Sequence, residues 1–324
     1  MKLLIAAFIA LALVSITPPI QAQQVLKLGH VLPADSQFGI ASRVLNEEIF
    51  KRTNGKYQVK EHPASALGSG KAMLAALKLG TIEMLISSAG GSLEEFNPAV
   101  GILDLMLLFR DAQHAYSVLD GPIGRDLLDS FKAQGVVGLA WAENGFREVT
   151  NSKLPIKTPA DLKGLKIRLS ESNIYKRAFE VLGAAPGLLA FAQVYSALQS
   201  GQYDGEENPV TTIANAKIYE VQKYITLSHH TYAPAAILIN EDVYKDLSPD
   251  EQKIFLDAAQ LAAKASRDYV KQHDEAGLVK LKEAGMVIST DFDRAAFEKA
   301  LEPFYQEYAQ RFTMEKILAI KNAK

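Results

Sequence analysis

From Phe255 to Leu281 apolar residues recur at helical spacing, and the run is bounded on both sides. Ser248-Pro249-Asp250-Glu251 reads as a capping box with proline at the first helical position, and Ala284-Gly285 closes the run. A helix of roughly 35 residues extends about 50 Å. That exceeds one small domain, so such a helix must lie across two. Gly277 is the one position at which it could bend. The chain length of 324 residues agrees, since single cores stop growing at about 250–300 residues.

The remaining pattern alternates strand and helix. Val25 to His30 alternates like a strand, Ser36 to Thr53 has helical spacing, and Tyr57 to His62 reads as a strand. Ser69 to Leu79 is a helix stopped at Gly80, and Ile82 to Ile86 is apolar enough for a buried parallel strand. After a less regular middle, Val136 to Trp141 reads as a strand. A short helix is capped at Thr158-Pro159-Ala160-Asp161 and closed by Gly164. Strands follow at Leu165 to Leu169, Tyr224 to Ser228 and Ala235 to Asn240, with helices at Asn173 to Leu182 and Gln193 to Ser200. The expected fold is α/β: two lobes joined by strands, with a ligand crevice near the carboxyl ends of the strands. No Gly/Ser tether separates the lobes.

Composition removes whole classes of chemistry. The net charge is −2, so no basic excess attracts nucleic acid. There is no cysteine, hence no disulfide, thiolate nucleophile or cysteine-ligated metal. The sequence has no Gly-x-Ser-x-Gly elbow, dinucleotide glycine turn, P-loop or His-Glu-x-x-His pair. His229 and His230 are adjacent and would point to opposite faces of a strand, which argues against a shared metal. Neither cofactor nor metal is expected. At the amino terminus, Lys2 precedes an apolar stretch from Leu3 to Ile16, then Thr17-Pro18-Pro19 and Ala22. This is the order of a secretory signal peptide cleaved near Ala22, so the mature protein is expected in the periplasm.

Three polar positions stand out. Arg168 ends an otherwise apolar strand, and a guanidinium buried there needs an anion. A structural salt bridge or a ligand carboxylate would serve, and arginine's planar fork suits the latter. Arg147 could be a second donor or a rim charge. Asn208, before Pro209, could cap the following helix or aim its amide into the cleft. Glu207 is expected among the ligand-binding residues, and a rival enzymatic reading would use this cleft carboxylate as a base.

Seven stretches together resemble the substrate-binding subunits of TRAP transporters, the C4-dicarboxylate-binding (DctP) family. They are Arg147-Glu148-Val149-Thr150-Asn151-Ser152, Pro155-Ile156, Leu162 through Arg168, Leu182-Gly183-Ala184, Val194 through Gln199, Asp204 through Pro209, and Tyr219 through Tyr224. The resemblance covers essentially the whole mature chain. It implies a two-domain periplasmic binding fold with a hinge, non-enzymatic, that closes on an organic acid and delivers it to a membrane permease. The expected lobes are residues 23–144 with 233–272 and residues 145–232 with 273–324, in a monomer.

By the family's motif, Arg168 pairs with the ligand carboxylate, Arg147 is a second arginine near the ligand, and Asn208 is a cleft asparagine. Phe191 matches an aromatic that packs near the ligand. By position, His30, Ser69 and Ser88 fall where ligand-selecting polar groups sit. The sequence also departs from the family. Glu206 stands where glutamine is common, and Ala185-Pro186-Gly187-Leu188-Leu189-Ala190 has fewer prolines than usual. Ser69 and Ser88 replace acidic residues of sialic-acid-binding members. The stretches Glu143 to Arg147 and Ser228 to Tyr232 look closest to sugar-acid members, including the 2,3-diketogulonate subunit. A hexuronate or other sugar acid is therefore the expected ligand. The alternatives are a C4-dicarboxylate or keto acid, or a role as a ligand-presenting sensor subunit.

Overall fold

A computed structural model describes residues 22–323. The signal peptide expected at Met1–Ala22 lies, except for Ala22, outside the described residues. None of the described helices is long and apolar enough to cross a membrane.

Among the described residues nine strands form one sheet. They are β1 (Gln24–Gly29), β2 (Tyr57–His62), β3 (Met84–Ser88), β4 (Val136–Asn151), β5 (Lys166–Leu169), β6 (Ala185–Leu188), β7 (Gly205–Pro209), β8 (Tyr224–Asn240) and β9 (Val287–Ser289). The order is β2-β1-β3-β8-β4-β7-β5-β6, with β9 beside β8. At one end β1 runs parallel to β2 and β3, as the alternation of strand and helix requires. At the other end β5 runs parallel to β6 and β7. The two ends are the sheets of the two lobes, and the antiparallel pair β4 and β8 passes through both.

Here the structure corrects the sequence reading. Val136–Trp141 is only the first part of a 16-residue strand. The two strands expected at Tyr224–Ser228 and Ala235–Asn240 are one 17-residue strand. Gly145 and Pro234 look like breaks in sequence, but they fall at irregularities of a continuous ladder running from Val136↔Asn240 to Asn151↔Tyr224. Gly145 adopts φ +122 and His229 φ +44, absorbing the shifts in register. At Gly145 a side chain would also press on Pro209, 3.1 Å from the position of its Cβ. β7 was not expected as a strand at all: its sequence Gly-Glu-Glu-Asn-Pro is polar, yet every residue is buried.

The long helix spans Pro249–Glu283 without interruption, with the Ser248–Glu251 capping box formed. Its first half packs Phe255, Ala258 and Ala262 against Phe38, Leu45 and Ile49 of the helix Gln37–Arg52. Its second half reaches the other lobe, where Lys280 Nζ donates to Ala214 O at 3.1 Å. Gly277 marks close approach there rather than a bend: a Cβ would lie 2.8 Å from Val210 Cγ1. A second core gathers Leu103, Phe131, Ile167, Phe179 and Phe304 on the opposite face of the sheet.

Candidate functional site

Between the two ends of the sheet lies a cavity of about 400 Å3, a volume suited to a small ligand. Both lobes line it. Ser69, Ser87, Ser88 and Ser92 come from the first, and Arg168, Ser170, Glu171, Phe191 and Asn208 from the second; Asn144 and Arg147 come from the crossing strand β4.

Arg168 sits at the carboxyl end of β5 and is 1% exposed. Its Nε and Nη2 donate to Leu189 O at 3.0 and 2.5 Å. Nη1 has no partner. No carboxylate in the chain forms a salt bridge with this guanidinium among the described residues. Burial, offset in part by Glu206 and Glu207, pulls Arg168 down to about 10, which leaves it protonated at neutral pH. A buried cation with an unpartnered donor is costly, and this one belongs to a residue that lines the cavity.

Arg147 is not the rim charge allowed by the sequence reading; it is 2% exposed. Glu207 grips it with both carboxylate oxygens, through Nε and through Nη2 at 2.8 Å, and Nη2 also reaches Glu207 O at 2.6 Å. Burial alone would raise Glu207, but Arg147, together with a hydrogen bond from His230 at 3.3 Å, holds it down at about 2. Burial keeps His230 neutral, with Nδ1 accepting from Ser228 Oγ at 2.8 Å. Glu207 does not line the cavity. A carboxylate so acidic and so placed is a poor general base, so the enzymatic rival loses its named residue. Glu207 instead positions Arg147.

Asn208 does not cap a helix. The helix Val210–Asn215 starts after Pro209 without a side-chain cap. Asn208 Oδ1 accepts from Arg147 Nη2 at 3.2 Å, and Nδ2 donates to Glu206. Glu206 is fully buried, which raises it to about 7, with Arg168 opposing that rise. It lies beside Arg168 in the register of β5 and β7.

Phe191, Ser69 and Ser88 all line the cavity. Ser69 also caps the helix Gly70–Lys78, accepting from Ala72 N at 3.3 Å. His30 does not reach the lining. It is fully buried, its Nε2 2.9 Å from Glu61 Oε1 and its ring edge-on to Phe38, which does line the cavity. The sequence reading missed Asn144, Ser170, Glu171, Ser87 and Ser92. Ser170 and Glu171 follow β5 directly, and the rule that ligands bind beyond the carboxyl ends of parallel strands would have found them.

The two lobes touch across the cavity. Ser170 Oγ donates to Gly90 O, Ser92 Oγ donates to Glu171 Oε2 at 3.2 Å, and Ser172 Oγ donates to Asp104 at 2.8 Å. Gln37 Nε2 bonds Asn144 Oδ1 at 2.9 Å and Thr212 Oγ1 at 3.2 Å, linking the helix Gln37–Arg52, β4 and the helix Val210–Asn215.

Relatives carry the same fold. Residues 28–311 match the family model described as bacterial extracellular solute-binding protein, family 7 (DctP). The chain is 40% identical to the 2,3-diketo-L-gulonate-binding periplasmic protein YiaO of Escherichia coli, covering 86% of this chain and 85% of the relative. A TRAP periplasmic solute-binding protein from Polaromonas sp. JS666, solved with D-erythronate, superposes with a TM-score of 0.91 at 39% identity over 93% of this chain and 99% of that one. One from Xanthobacter autotrophicus, solved with β-D-galacturonate, gives a TM-score of 0.88 at 33% identity over 92% and 100%. With the family's motifs and its two-lobed fold both present, this chain belongs to the DctP family of bacterial extracellular solute-binding proteins, the solute-binding components of TRAP transporters.

Proposed function

We propose that this chain captures a sugar acid, an aldonate or uronate, by pairing its carboxylate with Arg168, and delivers it to a TRAP membrane permease. The observation that carries this reading is the buried Arg168 guanidinium, which lines a cavity of about 400 Å3 and whose Nη1 has no partner among the described residues. Arg147 and Asn208 support the carboxylate from the side, and Phe191 packs on the ligand's apolar face. The sugar-acid ligands of the relatives favour this class. The acidity and burial of Glu207 fit a carrier without turnover. The signal peptide read in the sequence and the extracytoplasmic family support a periplasmic carrier.

Residues 23–144 with 233–272 form one lobe in this reading, and residues 145–232 with 273–324 the other. Ligand favours the closed arrangement because it touches both lobes at once, and only that difference in affinity can shift the balance. Each charge-assisted hydrogen bond contributes about 1.5–3 kcal/mol net, so Arg168→Ala should weaken binding roughly 10–200-fold. The test is calorimetric titration of refolded, ligand-free protein with aldonates and uronates. Unchanged affinity in Arg168→Ala would refute the clamp.

A further inference from the structure

The cavity's charges do not balance as a simple count would suggest. Its charged lining residues are Arg147, Arg168 and Glu171. Arg147 is neutralised by the two-oxygen grip of Glu207. Among the described residues one cation without a carboxylate partner, Arg168, therefore shares the cavity with one carboxylate, Glu171. The rest of the polar lining is neutral: serine hydroxyls and the amides of Asn144, Gln193 and Asn208.

Glu171 is two residues beyond the end of β5 and three beyond Arg168. Its carboxylate reaches across the cleft, where Ser92 Oγ of the first lobe donates to Oε2 at 3.2 Å. A Cβ at Gly70 would lie 3.8 Å from the same oxygen. Among the described residues no hydrogen bond reaches Oε1. Lys71 is also close enough to feel this charge, but its ammonium is paired with Glu95 at 2.6 Å. Glu171 thus meets the ligand as a carboxylate with acceptor capacity to spare.

We propose that Glu171 sets the charge selectivity of the cavity: it accepts hydrogen bonds from the hydroxyls of a monocarboxylate sugar acid and repels a second carboxylate. The chain then takes an aldonate or uronate and rejects the corresponding dicarboxylate. A second carboxylate would find no second guanidinium lacking a carboxylate partner among the described residues, since Glu207 already holds Arg147, and would sit near a like charge in a partly desolvated space. Selectivity of this kind comes from a repulsive element as much as from attraction. The inference rests on the Arg168 clamp and adds a residue to it.

Matched acids test it. Erythronate and tartrate differ by oxidation of one terminal carbon, as do galactonate and galactarate. Ligand-free wild-type and Glu171→Gln chains are titrated calorimetrically with both pairs at fixed pH and ionic strength. Wild type is expected to prefer the monocarboxylate of a pair, and Glu171→Gln to reduce that preference about 10–100-fold, mainly by tightening the dicarboxylate. Glu171 is partly buried and the glutamine amide oxygen can still accept from Ser92, so the variant should fold; its melting midpoint checks this. Equal or tighter dicarboxylate binding by wild type overturns the proposal, as does an unchanged ratio in Glu171→Gln. Failure of every carboxylate to bind wild type instead refutes the clamp, and the Glu171 proposal falls with it.

Discussion

Arg147 and Arg168 line one cavity and resemble each other in sequence, but the structure gives them opposite energetic roles. Arg147 is paired with Glu207 through Nε and Nη2: removing it leaves Glu207 buried and ionised, with only the hydrogen bond from His230 among the described residues. Breaking a buried pair from one side costs about 3–5 kcal/mol. With roughly 300 ordered residues at about 2.1 cal/mol/K each, the entropy of unfolding is about 0.6 kcal/mol/K, so the midpoint should fall by about 5–8 °C in Arg147→Met. Among the described residues Arg168 is a buried cation with one unpartnered nitrogen and Leu189 O as its sole acceptor. Arg168→Met keeps the length of the side chain and removes the cost of burying the charge. The ligand-free protein should change by less than about 1 kcal/mol while affinity falls by roughly 10–200-fold. Both variants would be melted after refolding without ligand, then again with a saturating sugar acid. The double variant Arg147→Met, Glu207→Leu should regain most of the stability lost by the single one, since both charges are then gone. A ligand-free Arg168→Met that melts lower than Arg147→Met, or a double variant no better than the single, would refute this division of roles.

Stability should also fall as pH rises from about 5 to about 7.5. Burial raises Glu143 and Glu206 to about 7 and Asp274 to about 6, and raises Asp104 and Glu148 as well. Each keeps in the folded chain a proton that the unfolded chain releases above about pH 4.5, so the folded state binds more protons across that window and loses stability through it. His229 and His230, lowered by burial, act in the opposite sense but are fewer. Melting of ligand-free protein across that range checks the sign; a rising midpoint would contradict it, and Glu206→Gln should flatten the slope. Gly90→Ala should destabilise by about 1–3 kcal/mol in urea unfolding, because its Cβ would fall 2.3 Å from the buried Tyr175 hydroxyl.

What could be read from sequence follows from which forces leave a local mark. The long helix announced itself because burial against two lobes imposes a 3.6-residue period on Phe255, Ala258, Ala262 and Leu281, and because its cap is made of neighbouring residues. Arg168 was legible for the same reason in reverse: a charge on an apolar strand is a local contradiction that needs a distant answer. Arg147 was not, because its answer, Glu207, is 60 residues away, and no spacing rule joins β4 to β7. β7 shows why such a strand is invisible. Its burial is secured by ion pairs and amide bonds rather than by apolar side chains, so it carries no hydrophobic period at all. Glu206 and Asn208 lie two residues apart and bond each other, as alternation along a strand allows, while Glu207 between them turns to Arg147 and His230. The sequence therefore displays most openly the parts that hold the lobes together. It conceals the polar strand that pairs one arginine and leaves the other without a carboxylate partner among the described residues.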